Sequence, residues 1–147
     1  MRKLVVFGVL VTALFGFAPT VSASPAVPTC LIINGGSGGR FTKSLLCVEL
    51  RNLVDGLGGS GSYAPGDTTT WHWLTESVEY RPIGVNTPVW LPLAAVTQMG
   101  TGKLEASTRP VRMPAPGVLR ACTRVGDAST ASARELCTDP DRTVGRP

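Results

Sequence analysis

The sequence predicts an all-β protein, built as a small antiparallel β-sandwich or a small barrel with two disulfides. Glycine and proline account for 17 and 12 of the 147 residues, and both residue types disfavour long helices. Threonine and valine are also frequent, and both favour strands. The chain has four cysteines, an even number that is typical of a disulfide-stabilised exported protein.

The first 23 residues have the layout of a secretory signal peptide. Arg2 and Lys3 form a basic start, residues 4–18 form an apolar stretch, and the small residues at 21–23 form a cleavage site. The apolar stretch is shorter than the roughly 20 residues that a membrane-spanning helix needs. We therefore expect a secreted, extracellular protein with no membrane attachment after cleavage; an uncleaved anchor is the alternative.

The expected mature chain, residues 24–147, carries a net charge of only +2, because two of the 14 basic residues belong to the signal. Its basic residues are scattered among acidic ones and form no dense stripe, which argues against a nucleic-acid partner. We expect an extended lead-in at 24–28, one domain at 29–137 and a disordered polar tail at 138–147.

Short apolar segments separated by glycine, proline and serine turns predict seven or eight strands. They lie at residues 29–34, 44–52, 68–74, 77–81, 88–96, 103–107, 118–125 and 134–137. Glycine-rich loops are expected at 34–40, 56–66 and 126–132. The prolines at 88 and 92 confine their strand to a sheet edge or break it.

The segment 44–52 fits two periodicities. As a strand it places Leu46, Val48 and Leu50 on one face, whereas a helix would group Phe41, Leu45, Val48 and Asn52. The strand is favoured because the surrounding composition is rich in strand formers. The predicted core comprises Leu31, Ile33, Leu46, Val48, Leu50, Trp71, Trp73, Val89, Leu91, Leu93, Leu119 and Ala121.

The cysteines lie at Cys30, Cys47, Cys122 and Cys137. Their spacings favour two local clips, the first with the second and the third with the fourth, each closing a hairpin. A nested pairing would resemble the long-range bridge of an immunoglobulin domain, and the expected sandwich is immunoglobulin-like in architecture. A zinc site is not expected, because there is no C-x-x-C pair and the single histidine is distant in sequence.

Three patterns could carry catalysis, and each has a simpler interpretation. Residues 35–39 fit G-x-S-x-G around Ser37, with Asp55, Asp67 and His72 following, but a glycine loop is a poor platform for a nucleophile. His72 is the only histidine and is expected to be a partly exposed strand residue. We expect no catalytic residues, cofactor or metal.

The nearest glutamate pair is Glu76 and Glu79. Three residues apart in a strand, they face opposite sides and are expected to be solvated charges rather than a glycosidase pair.

The tryptophans are the best functional lead. Trp71 and Trp73 share one strand face about 7 Å apart, and together with Trp90 they are candidate ligand-binding residues for sugar rings or a protein partner. Core packing is the competing and favoured interpretation.

Two functions remain. The first is a secreted, non-catalytic binding module for a cell-wall glycan or an extracellular protein. The alternative is a small secreted hydrolase, or a protein inhibitor of an extracellular enzyme that presents a rigid loop such as residues 110–116 braced by the Cys122 disulfide.

Overall fold

Two antiparallel sheets of four strands pack face to face in the computed structural model, which describes residues 27–37, 40–84, 89–129 and 132–139. The first sheet has the strand order β1-β2-β3-β6 and the second β5-β4-β7-β8. The strands are β1 Thr29–Ser37, β2 Arg40–Leu53, β3 Gly56–Ala64, β4 His72–Pro82, β5 Leu91–Gly100, β6 Leu104–Ser107, β7 Gly117–Asp127 and β8 Ala133–Cys137. The predicted all-β sandwich is confirmed.

Each disulfide joins two residues that lie directly opposite each other in a hairpin. Cys30 bonds Cys47 across β1 and β2, and Cys122 bonds Cys137 across β7 and β8. The predicted local clips are confirmed and the nested pairing is wrong. Such bonds are those of a protein that folds in an oxidising compartment.

Within the described part of the chain, no helix has the length and apolar character to cross a membrane. The predicted signal at 1–23 lies outside the described residues.

The segment 44–52 is part of a strand, β2, as the alternation predicted, and the helix alternative is wrong. The expected turn at 34–40 is mostly strand, because β1 continues to Ser37 and β2 begins at Arg40. The two strands expected at 68–74 and 77–81 are one, β4, which begins only at His72.

The strand β5 lies at a sheet edge, as its prolines predicted, but it begins at Leu91 rather than at residue 88. Val78 pairs with Ala94 and Glu79 with Pro92, so Leu93 is an extra residue in the ladder. Proline has no backbone N–H to donate, and a β-bulge on an edge strand is a place where a sheet tolerates it.

The expected loop at 56–66 is wrong, since residues 56–64 form the strand β3 in the interior of the first sheet. Glycine has a low strand propensity, yet β3 pairs along its length with β2 and at four positions with β6. Gly56 has a φ of 147° and approaches the carbonyl of Val111 too closely for any side chain. The glycines are therefore used for close approach rather than for a flexible turn.

The interior contains two apolar clusters. One consists of Leu46, Tyr63, Leu74, Leu104, Ala106 and Val125. The other consists of Val78, Tyr80 and Leu119, with Leu50, Leu57, Leu93, Val111 and Met113 packed against them.

The core prediction is right for Leu46, Val48, Leu119 and Ala121, which are buried, and Ile33, Leu50 and Leu93 are partly buried against the core. It is wrong for Trp73, which lies on the outer face of β4, and for four exposed residues. Leu31 on β1 and Leu91 on β5 are exposed, as are Trp71 and Val89, which lie outside the strands. Edge strands and strand ends lack a neighbour to cover them, so apolar alternation alone overestimates their burial.

A disordered tail was expected from residue 138, but Thr138 is held to β7. Its backbone N–H donates to the carbonyl of Ala121, and its hydroxyl accepts from the backbone N–H of Ala121. Residues 140–147 of the predicted tail lie outside the described part.

Candidate functional site

A cleft of about 530 Å³ opens at one end of the sandwich, between the two sheets. We call it the end cleft. Its walls come from the strands β1 to β4, β7 and β8 and from the loop between β3 and β4. The side chains with recognisable chemistry are Tyr63, Asp67, His72, Asp127 and Arg134. The volume falls within the range of small-molecule sites.

The floor of the end cleft is aromatic. His72 is half-buried on the inner face of β4, and its ring meets that of Tyr63 edge-on, with centroids 5.1 Å apart and planes at 73°. The half-buried strand histidine was predicted. Its position in a cleft was not, because it depends on β3, which the sequence did not reveal.

Two carboxylates stand at the rim, and each organises the loop beside it. Asp67 accepts hydrogen bonds from the backbone N–H of Thr69 (2.9 Å) and from the hydroxyls of Thr69 (2.7 Å) and Thr70 (3.1 Å). Asp127 accepts from the backbone N–H and the hydroxyl of Ser129, both at 2.8 Å. These hydrogen bonds, with a smaller attraction from His72, lower the pKa of both carboxyl groups. Both are therefore ionised over the physiological range.

The structure does not assemble the catalytic order that the sequence suggested. Asp67 and His72 both line the end cleft, but Asp55 lies in the turn between β2 and β3, at the opposite end of the sandwich. Ser37 ends β1, where its backbone pairs with Arg40. Residues 35–37 of the G-x-S-x-G segment thus end a strand, which is not the start of a strand-to-helix elbow, and residues 38–39 lie outside the described part of the chain.

The three tryptophans are not brought together. Trp71 is 58% exposed and directly precedes β4, between the cleft-lining residues Thr70 and His72. Trp73 is half-buried on the outer face of the second sheet and lies against Gly126. Trp90 lies beside the far end of β4, roughly 25 Å away. The favoured core interpretation is wrong for Trp71, and the ligand-binding role of all three stays a prediction.

Trp90 belongs to a separate cluster on the outer face of the second sheet. The guanidinium of Arg120 lies 4.2 Å from its ring centroid and that of Arg81 lies 4.9 Å away. Arg120 also forms an ion pair with Glu79 at 2.7 Å. Cation–π contacts and a partly buried ion pair thus tie β4, β7 and the start of β5 together.

Glu76 was expected to be solvated, but it is fully buried on the inner face of β4. It lies between Leu74 of one apolar cluster and Val78 of the other, directly opposite Thr123 of β7. Its carboxyl oxygen Oε2 accepts a hydrogen bond from the Thr123 hydroxyl. The prediction that Glu76 and Glu79 face opposite sides is confirmed.

The glycines of β3 make room for this carboxyl group. A Cβ at Gly59 would overlap Oε1 of Glu76, and a Cβ at Gly61 would overlap Oε2 and the Thr123 hydroxyl. The Thr123 hydroxyl also lies 3.3 Å from the carbonyl oxygen of Cys47 in the other sheet. We call Glu76, Thr123, Gly59 and Gly61 the polar layer, which separates the two apolar clusters.

The segment 110–116 is exposed and firmly held, though not by the Cys122 disulfide as expected. Val111 exchanges two backbone hydrogen bonds with Leu57, at 2.8 and 3.0 Å, and the Tyr80 hydroxyl donates to the carbonyl of Ala115 at 3.1 Å. Val111 and Met113 pack on the core while Arg112, between them, is exposed.

Comparison with known proteins identified no relative. No protein-family model, curated protein or solved structure matched the chain.

Proposed function

We propose that this protein is a secreted, non-catalytic binding module and that the end cleft is its ligand site. The proposed ligand is a sugar-sized group of a cell-wall or other extracellular glycan. One observation carries the proposal: a cleft of about 530 Å³ combines ring surfaces with ionised carboxylates and a guanidinium. It suits one or two sugar rings, whereas a protein partner covers a surface of about 800 Å² on each side.

The chemistry of the walls matches a polyhydroxylated ligand. Asp67 and Asp127 are acceptors for hydroxyl groups and Arg134 is a donor. The half-buried ring of His72, which rests edge-on against the buried ring of Tyr63, offers apolar surface. The exposed indole of Trp71 stands beside His72 in sequence and provides a further flat surface. Sugar recognition needs this combination of directional hydrogen bonds and ring faces.

Binding is favoured over hydrolysis because both carboxylates of the end cleft already accept hydrogen bonds from the protein. The Asp67 carboxylate accepts three hydrogen bonds from its own loop, and Asp127 accepts two. These bonds stabilise the charged form, which makes both groups weak proton acceptors. The signal-like N-terminus and the two disulfides support secretion.

Binding is tested with the purified protein and two probes, soluble oligosaccharides of N-acetylglucosamine and insoluble peptidoglycan. Tryptophan fluorescence and calorimetry report on the first, and co-sedimentation on the second. We expect saturable binding that Arg134→Ala and His72→Gln each weaken at least tenfold. Arg112→Ala, an exposed residue at the opposite end, should leave affinity unchanged. Equal affinity in all four proteins, or turnover of the probe, would overturn the proposal.

A second candidate, inhibition of an extracellular protease, is favoured by the segment 110–116. A loop that is exposed and fixed before binding loses little entropy in a protease cleft. Arg112 is exposed between two residues anchored in the core, Val111 and Met113. An arginine in this position fits a protease with an acidic specificity pocket.

The second candidate has a direct assay with trypsin as the probe. Inhibition by the wild-type protein that is lost in Arg112→Ala and kept in Arg134→Ala would favour it over the glycan site. Absence of inhibition at micromolar concentration would eliminate it.

A further inference from the structure

The polar layer contains an acid with no opposite charge beside it. Glu76 has none of its surface exposed, and its inner-face neighbours are Gly59, Gly61, Val78 and Thr123. Its Oε1 atom has no hydrogen-bond partner. Among the described residues, no charged side chain acts on its titration. The titratable groups on the inner faces around it are His72 and Tyr80, each four residues away on β4, and Tyr63, two residues beyond Gly61 on β3.

A carboxylate in this position is costly. An ionised group that leaves water needs a counter-charge or several hydrogen bonds, and here the single hydroxyl of Thr123 is the donor. Burial accordingly raises the pKa of Glu76 to about 8, against the lowering effect of that hydrogen bond.

The neutral acid satisfies the layer better than the anion does. Thr123 has one hydroxyl proton and two acceptors within reach, Glu76 Oε2 and the carbonyl of Cys47. When Glu76 carries a proton it can donate to the Thr123 oxygen, and the Thr123 proton is then available to the Cys47 carbonyl. The chain of hydrogen bonds thereby runs from β4 through β7 to β2 and joins the two sheets.

We propose that the polar layer is a pH-sensitive lock: the two sheets pack fully over it while Glu76 is protonated, and ionisation of Glu76 loosens the sandwich. The carboxyl group cannot move into free space, because Gly59 and Gly61 already touch it. An anion here must draw in water between the sheets or unfold part of β3. The lock is independent of the ligand at the end cleft.

The direction of the pH effect follows from the two states of the chain. Well below pH 4.5 the acid is protonated whether the chain is folded or unfolded, so Glu76 contributes no pH dependence to stability there. Between pH 4.5 and about 8 the unfolded chain loses the proton and the folded chain keeps it, so stability falls as pH rises. The folding equilibrium constant is expected to fall by up to about tenfold per pH unit and to level off above pH 8.

The test is urea unfolding of the full-length secreted protein at intervals from pH 4 to 9.5. Wild type should lose stability between pH 4.5 and about 8. Glu76→Gln should show a much flatter profile over this interval, and Glu79→Gln on the outer face should keep the wild-type fall. Parallel profiles for wild type and Glu76→Gln would overturn the proposal.

A second measurement does not depend on a variant. In protein labelled with ¹³C in its five glutamate carboxyl groups, one resonance should titrate near pH 8. Titration of all five near the ordinary value of 4.5 would also overturn the proposal.

Discussion

Glu76 and Glu79 lie three residues apart on β4 and occupy opposite environments. Glu79 faces outward, is partly exposed and pairs with Arg120, whose guanidinium also covers Trp90. Glu76 faces inward, is fully buried and has Thr123 and two glycines as neighbours. The comparison shows that the face of a strand, and not the residue type, decides whether a carboxyl group has a charged partner or is buried without one.

The two faces also differ in what they contribute to the fold. Outside, charges and an indole hold three strands of one sheet together at the surface. Inside, the polar layer connects the two sheets and interrupts the apolar core. Burying a polar group lowers stability more than surface pairs raise it, so the inner site should dominate mutational effects.

The largest effect is expected from filling the space that β3 leaves for Glu76. Gly59→Ala places a methyl group on Oε1 of Glu76 and close to Val78, in a region without free volume. Overpacking of this kind costs about 2 to 3 kcal/mol of unfolding free energy. Urea unfolding at pH 4.5 measures it, with Gly35→Ala as the control, because a Cβ there makes only ordinary contact with Thr42.

A double variant identifies the cause of that loss. In a Glu76→Ala background the overlap with the carboxyl group is absent, so Gly59→Ala should cost markedly less than in wild type. Equal costs in both backgrounds would show that contact with Val78, rather than contact with Glu76, makes the glycine necessary.

The sequence predicts features with a local signal better than features that depend on contact between the two sheets. Cysteine spacing identifies both hairpin clips, and the alternation of Leu46, Val48 and Leu50 identifies β2, because these signals are local. β3 carries no such signal, since glycines have no side chain to alternate. Its pairing with β2 and β6, and the room that its glycines leave for the Glu76 carboxyl group of the other sheet, depend on residues distant in sequence.

The candidate sites could be predicted only in part for the same reason. His72 was recognised as a half-buried strand residue, but the end cleft around it depends on loops fixed by Asp67 and Asp127. The alternation predicts Trp71 and Trp73 on one strand face, but β4 begins at His72, so Trp71 lies outside the strand. Sequence pattern gives the face of a residue within a strand but not where the strand begins.

A smaller effect is expected from the outer cluster. Arg120→Met keeps an apolar stem against Trp90 but removes the cation–π contact and the ion pair with Glu79. We expect a loss of about 1 kcal/mol in unfolding free energy, because the side chains of the ion pair are still 24% and 18% exposed to solvent. The loss should be similar at pH 5.5 and pH 8.5, because neither interaction involves Glu76. A loss confined to one pH would mean that the ionisation of Glu76 changes the interactions of the outer cluster.

The smallest effect is expected from the ion pair between Arg124 and Glu135, which joins β7 to β8 near the Cys122–Cys137 disulfide. Its side chains are 55% and 38% exposed, so water competes for both partners. Glu135→Gln should therefore change the unfolding free energy by less than about 0.5 kcal/mol at low salt, and by less again at 0.5 M salt. The adjacent disulfide already holds β7 and β8 together, so the ion pair adds little to the order of these strands. A loss as large as that of Arg120→Met would show that side-chain exposure does not determine how much these two outer ion pairs stabilise the fold. The difference between the outer pairs and Glu76 would then lie only in the missing counter-charge at Glu76.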